Sequence, residues 1–407
     1  MINVVVINGG RGAGTLIPAL QQRGNISLTS VVNAYDDGKS TGEVRRHFSM
    51  LGPSDIRKVQ ELLLPHSPMG DQARILFGQR YPAPTEHSAV VEQLERFASG
   101  VTETPFLSPP VDLGPLIPAL RVFVRHFLDH LQISEKIIGA PFDFSDCSLL
   151  NCIYGGAFLY FDQDLEKAVE YLNQLFEIQG RVLVAGVDNK HLAALREDGG
   201  ILYCEADIVE QRSNTRIRQL VMLDEPLARG SLDVLNDREQ QRYLDSRHSA
   251  GNASQPVQHA LRDADVIIYA PGTQHSSLYP TYLLRGIADA IGENRKALKV
   301  FVTNIGADFE TPDYVASDYI LGAFQYLRAS TETPWSETDL FTHNLVNDGV
   351  AGLASAVDVD LGRLEKHPVP LVRKPLTTEA LRGRHDGESV VDTVMELHRN
   401  RLEKAIK

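Results

Sequence analysis

Two neighbouring carboxylates, Asp36 and Asp37, open the stretch "DDGKSTG" and pose the first chemical question of this sequence. A carboxylate pair in a loop can hold Mg²⁺ against a diphosphate, because hard cations take oxygen ligands. It can equally cap a turn and the helix that follows, which is the commoner use of such a pair taken alone. The next residues, Gly38-Lys39-Ser40-Thr41, spell the end of a Walker A phosphate loop. That pattern, G-x-x-x-x-G-K-[ST], wants a glycine five residues before Gly38, where Asn33 stands. Two carboxylates beside a phosphate would also repel it unless a cation lay between them. The stretch is not read as an ATP- or GTP-hydrolysing loop.

A glycine-rich run, "NGGRGAGT", precedes it. Against G-x-G-x-x-G, Gly10 and Gly12 fit and Thr15 replaces the third glycine. Such a loop lets backbone N–H groups and a helix start approach a phosphate, or it is a tight turn with no ligand. NAD is not expected, because the second strand ends in Asn33 and not in an acidic ribose ligand. The stretch "APGTQHSS" repeats the arrangement: Gly272 lets the chain bend, and Thr273 brings a hydroxyl near a helix start. Ser148 and Asn151 are similar polar residues at a helix start, able to read a base or to cap the helix. His126 and His130 have the i, i+4 spacing of metal ligands on a helix, but no H-E-x-x-H surrounds them. They read as packed or exposed residues of an amphipathic helix.

These loops need strands to carry them. "INVVVI" is a continuous branched apolar run, as suits a strand buried on both faces of a parallel sheet. The chain continues loop, helix "LIPALQQRG", strand "ISLTSVVN". Later strands are "RVLVAG", "DVIIYA" and "KVFVTN", with "GILYCEADIVEQ" and "RIRQLVML" expected to pair with each other. Helices are expected at "SDIRKVQELLL", "LGPLIPALRVFVRHFLDHLQI", "SLLNCIYGGAFLYF", "DLEKAVEYLNQLFEI", "LYPTYLLRGIADAI", "PDYVASDYILGAFQYL" and the C-terminal "SVVDTVMELHRNRLEKAI". "ERFASGVTETPFLSPP" reads as a loop. Strand and helix alternate, so the expected fold is a Rossmann-like, doubly wound α/β domain over residues 1–407. Residues 65–145 read as a helical insertion, and polar-rich 224–256 as a flexible or short helical one.

Bulk composition narrows the partners. The chain has 407 residues, 43% hydrophobic and 23% charged, which suffices for a sizeable core. A formal net charge of -13 argues against nucleic acid or an acidic membrane surface as the main partner. Cys147, Cys152 and Cys204 lack metal spacing and read as reduced thiols, and no run approaches the roughly 18 apolar residues of a membrane helix. A cytoplasmic protein is expected.

Taken together, the loops resemble the CofD/YvcK family, and its YvcK-like branch more closely. The resemblance runs in order from "NGGRGAGT" through "DDGKSTGEVRR", "GPSDIRK", "CSLLN", "GRVLVA", "APGTQHSS" and "YVASD" to "GRHDG". The sequence departs from the family pattern at Arg11, Ser54, Cys147, Leu150, Ala270 and Thr273. The resemblance implies a nucleotide-diphosphate or UDP-sugar-like ligand and a regulatory role in carbon metabolism or cell-envelope growth. The other branch of the family implies a Mg²⁺-dependent transferase, moving a phospholactyl-type group from a nucleotide-diphosphate donor to a deazaflavin alcohol. By that carry-over Gly10, Gly12, Gly14 and Thr15 would meet the diphosphate, and Asp36 and Asp37 would act at the metal or as catalytic groups. Ser40 would bind the nucleotide, Ser148 and Asn151 would face the nucleoside, Gly272 and Thr273 would line the same cleft, and Tyr314 and Arg384 would contact sugar or phosphate. A homo-oligomer is compatible with this reading.

Overall fold

Seven parallel strands run through the centre of the protein, in a computed structural model that describes residues 1–103, 112–349, 356–381 and 383–406. The strands in chain order are β1 (Ile2–Asn8), β2 (Ile26–Val32), β3 (Arg181–Val184), β4 (His191–Arg196), β5 (Ile201–Leu202), β6 (Ile217–Leu223), β7 (Val266–Tyr269), β8 (Leu298–Val302), β9 (His343–Asn347) and β10 (Leu371–Lys374). The large sheet has the order β10-β9-β8-β7-β1-β2-β3. β1 pairs with β2 from Ile2↔Ile26 to Asn8↔Val32, and with β7 from Val4↔Val266 to Ile7↔Tyr269. Val4, Val6 and Ile7 are wholly buried, as expected of a strand covered on both faces. From the β1–β7 pair the chain winds outward in both directions, so the carboxyl ends of these two strands flank the switch point of a doubly wound sheet. Ligands of open α/β sheets bind at such a crevice.

Helices build the walls, among them α1 (Leu16–Gln21), α2 (Lys39–Phe48), α3 (Ser54–Leu62), α4 (Pro68–Gly78), α5 (His87–Ala98), α6 (Ile117–Ile138), α7 (Leu149–Tyr160), α8 (Leu165–Leu175) and α9 (Glu205–Glu210). α4, α5 and α6 fall within residues 65–145. α6 and α7 cross so closely that a Cβ on Gly156 would fall 1.8 Å from the Phe123 carbonyl oxygen. Phe48 stacks on Phe127 at 5.0 Å and holds α2 against this block. His130 Nε2 lies 3.1 Å from the His47 carbonyl, and His126 packs edge-on against Tyr160, so both histidines serve packing. The C-terminal helix Gly387–Ile406 lies against α1.

Three expectations need correction. The segments expected to pair with each other do not: β5 and β6 both pair with β4, and Glu205–Glu210 is helical. The sequence of β4, "HLAALR", is rich in helix-favouring Leu and Ala, and cross-strand pairing overrides that preference. The "LYPTYLLRGIADAI" helix is broken into Tyr279–Tyr282 and Ile287–Glu293, with Gly286 at φ +93° between them. The loop expected at "ERFASGVTETPFLSPP" begins inside α5, and residues 104–110 of it lie outside the described residues. Polar residues 224–256 carry an ordered helix, Asp237–Arg247, started by a capping box of Asn236 and Glu239. With β4 and β6 it closes a small second core around Leu195, Val221 and Leu244. Among the described residues no helix is long and apolar enough to cross a membrane. All three cysteines are free, Cys147 and Cys152 in the core and Cys204 half-buried.

Candidate functional site

Two loops leave the carboxyl ends of β1 and β7 and interlock. A Cβ on Gly9 would fall 2.2 Å from Ser277 Cβ, and one on Gly12 only 1.9 Å from the Pro271 carbonyl oxygen. Asparagines at strand ends fix both loops. Asn8 accepts from the Gly10 N–H at 3.1 Å and donates to Ser30 Oγ. Asn304, just past β8, clamps the Gly272 residue at both ends, accepting from its N–H at 3.0 Å and donating to its carbonyl at 2.9 Å. Asn33 donates to the Ser276 carbonyl, which ties the end of β2 to the β7 loop. The Asn33 that argued against NAD thus has a positioning role.

The interlocked loops form one wall of a cleft of about 960 Å³, at the upper end of the roughly 300–1,000 Å³ range of small-molecule sites. Gly12, Asp36, Ser40, Gly272 and Thr273 line it. A second chamber of about 310 Å³ shares Gly12, Gly272 and Asn304 with the first and is lined by Gly14, Thr15 and Arg384. Gly10 has φ +82° and backs the wall, where a Cβ would meet Asp55 Oδ1 at 2.8 Å. Ser148 and Asn151 lie behind the lining, wholly buried. Asn151 donates to Ser40 Oγ at 3.0 Å, while its own Oδ1 and Ser148 Oγ have no partner. Tyr314 lies outside both linings, under the Arg216 guanidinium at 4.8 Å.

The two carboxylates of the acidic loop part company. Asp36 faces the cleft and accepts from the Gly38 N–H at 3.2 Å and from Thr41 Oγ1 at 3.1 Å. Asp37 turns to the start of α9, where Oδ1 accepts from the Ala206 N–H at 2.9 Å. A carboxylate there meets the positive end of the short helix. Burial pushes the Asp37 carboxyl upward against the pull of Arg45. Behind the loop, buried Arg45 donates to the carbonyls of Tyr35 and Lys190 and to Asn189, and so holds its backbone. Among the described residues no group of three or more His, Cys, Asp or Glu side chains could hold a metal ion. Mg²⁺ bound to a nucleotide often keeps its waters and takes one or two carboxylates besides phosphate oxygens. Asp36 fits that donor set, and Asp37, occupied by α9, does not add to it.

Two further acids belong to the site, and neither carries a sequence motif. Glu205, 5% exposed, accepts from the Asp37 N–H, and burial beside Asp36 and Asp37 pushes its carboxyl well up. Glu310, in the loop after β8, is 4% exposed. It accepts from the N–H groups of His275 and Ser276 at 3.0 and 2.9 Å and from Ser276 Oγ at 2.5 Å. These amides of the β7 loop are therefore already satisfied from within the chain. Burial raises the Glu310 carboxyl to about 7. One signal could have found the loop after β8: the apolar runs "VVVIN", "SVVN", "VFVTN" and "NLVN" all end in Asn.

The chain is similar to known proteins along most of its length. Residues 4–377 match the profile of the family described as 2-phospho-L-lactate transferase CofD. The chain is 24% identical over 321 residues to the gluconeogenesis factor of Halalkalibacterium halodurans, covering 78% of this chain and 71% of that one. It is 24% identical over 399 residues to the gluconeogenesis factor of Listeria monocytogenes, covering 97% and 95%. A solved structure of a UPF0052 family member from Bacillus halodurans has the same fold, with a TM-score of 0.67 at 20% identity over 97% of this chain and all of that one. With the match spanning nearly its whole length, this chain belongs to the CofD family.

Proposed function

We propose that the protein binds a nucleotide-diphosphate compound of the nucleotide-sugar kind and acts as a regulator of carbon metabolism rather than as a transferase. One observation carries this reading: the interlocked glycine loops of β1 and β7 and the acidic loop of β2 converge on a single large cleft at the sheet's switch point. The names of the relatives support the regulatory part. Ser148 and Asn151 are wholly buried, and Asn151 acts on the cleft through Ser40, whose Oγ accepts from it at 3.0 Å. A thermal-shift screen of UDP- and GDP-sugars, with and without Mg²⁺, tests it, since a ligand that binds only the native state raises Tm. At one hundred times Kd the gain is about 2.7 kcal/mol. No shift with any of them would remove the reading.

The transferase alternative is favoured by the family's description and by the position of Asp36 in the cleft. The divergence of the acidic pair separates the two readings. For a binding protein, Asp36→Asn should tighten Mg²⁺-free binding of the diphosphate about fivefold, because one repulsive charge worth about 1 kcal/mol is gone. Asp37→Asn should leave affinity nearly unchanged and Tm level or raised, since its Oδ1 still accepts from the Ala206 N–H and a buried charge is removed. Calorimetry with and without Mg²⁺ reads both effects. Product formed by the wild type from a nucleotide-activated donor and a deazaflavin alcohol, and lost in Asp36→Asn, would establish the transferase instead.

A further inference from the structure

Lys39 has no part in the nucleotide reading, yet the fold holds it in an unusual state. It opens α2 with φ +45°, a left-handed conformation that glycine adopts freely and lysine does not. Its side chain lines the cleft and donates to Asp146 Oδ2 at 3.2 Å. Asp146 is itself left-handed, at φ +54°, and its other oxygen accepts from Arg80 Nε at 2.9 Å. Two non-glycine residues in sparsely populated conformations thus meet at one edge of a cleft, and such outliers concentrate at ligand sites.

The ion pairs do not explain the outliers. The Lys39 side chain is 67% exposed and that of Asp146 is 37% exposed, and pairs in such positions contribute little to stability. Asp146 is better described as an exchangeable counter-ion. A third cation, Arg57, lines the same cleft, donates to the Phe77 carbonyl at 2.9 Å and is 7% exposed. Its Nε is buried with no partner. Burial and the like charge of Arg80 both lower the Arg57 pKa, and Glu61 is the carboxylate that opposes them. Lys58, also in the lining, is paired to Asp55 at 2.9 Å, so Lys39, Arg57 and Arg80 share this part of the cleft with Asp146 and Glu61, in a chain whose net charge is -13.

We propose that Lys39, Arg57 and Arg80 form an anion subsite for a carboxylate or phosphate additional to the ligand's diphosphate, with Asp146 holding Lys39 and Arg80 until that anion arrives. The anion is either a distal group of the nucleotide ligand or a separate small anion bound beside it. This inference rests on the nucleotide-diphosphate reading.

Calorimetry with UDP-glucose and UDP-glucuronate, which differ at one carboxylate, and with UDP-glucose plus inorganic phosphate tests it. If the anion belongs to the ligand, the wild type binds UDP-glucuronate about tenfold tighter than UDP-glucose. If the anion is separate, that preference is absent and phosphate tightens UDP-glucose binding by a similar factor. In either case Lys39→Gly abolishes the gain while its Tm stays level or rises, because glycine accepts φ +45°. Asp146→Asn, a substitution that tolerates a left-handed backbone, enlarges the gain. UDP-glucose binding with no response to either anion, unaltered in Lys39→Gly, overturns the subsite and leaves the nucleotide reading intact. A wild type that binds neither sugar nucleotide removes both.

Discussion

Gly12→Val is expected to cost about 3 kcal/mol of stability and to abolish nucleotide binding in the same step. Were the glycine there only to let a phosphate approach, a folded protein with a blocked site would result. The structure gives it a different task. Its missing Cβ makes room for the Pro271 carbonyl oxygen at 1.9 Å and for Gly272 Cα at 2.8 Å. Both are backbone atoms of the neighbouring loop, and Asn304 pins that loop from behind, so neither can yield cheaply. A valine must push the β1 and β7 loops apart, and these loops are the wall of the cleft. Gly38→Ala is the matched control. Gly38 also lines the cleft, but its φ is -73° and the nearest atom to an added Cβ is Asp36 Oδ1 at 3.6 Å. That variant should stay within about 0.5 kcal/mol of the wild type in urea unfolding. A Gly12→Val protein as stable as Gly38→Ala would contradict the interlocked loops.

The interlocking explains what the sequence could and could not tell. Buried strands such as "INVVVI" and "DVIIYA" are legible because both faces are covered, which leaves no polar alternation to confuse them. Strand β4 is illegible because Leu and Ala at four successive positions, 192–195, carry a helical preference that only pairing to β5 and β6 cancels. β9 and β10 are short strands toward one edge of the sheet, with mixed composition, and gave no comparable signal. The helix at "LYPTYLLRGIADAI" has the right periodicity, yet the left-handed Gly286 interrupts it. Periodicity reports a face, not continuity.

The site divides along the same line. Glycines and strand-end loops locate the cleft from sequence, because backbone approach requires them whatever the ligand. The roles of Asp36 and Asp37 were not separable, since adjacent residues with the same side chain differ only in the direction the turn gives them. α9 decides that direction, and it lies about 170 residues further along the chain. Glu205 and Glu310 were invisible for a related reason. An isolated Glu in a polar stretch normally belongs to the surface, and only tertiary structure buries these two against backbone N–H groups.

Burial of Glu310 has a measurable consequence in the pH dependence of stability. Its carboxyl rises from the ordinary 4.5 to about 7, chiefly because burial penalises the charged form, with Asp308 adding to the effect and the bonds from Ser276 and His275 opposing it. The folded state therefore holds this proton more tightly than the unfolded chain. The contribution is fully present below about pH 4.5 and is lost as pH rises through about 7. At about 1.4 kcal/mol per unit, roughly 3 kcal/mol disappears over that window. Asp37, Glu205 and Asp308 are raised as well, so the wild type alone reports a sum. Glu310→Gln isolates the term. The amide oxygen can still accept from the His275 and Ser276 N–H groups, and its nitrogen can donate to Ser276 Oγ, which then turns its hydrogen toward Thr273 Oγ1 at 3.2 Å. Urea unfolding at pH 5 and pH 8 should show a fall in the wild type that exceeds the fall in Glu310→Gln by about 3 kcal/mol. Equal falls in the two proteins would mean that Glu310 stays ionised where it sits, and that the amides of the β7 loop fully compensate its burial.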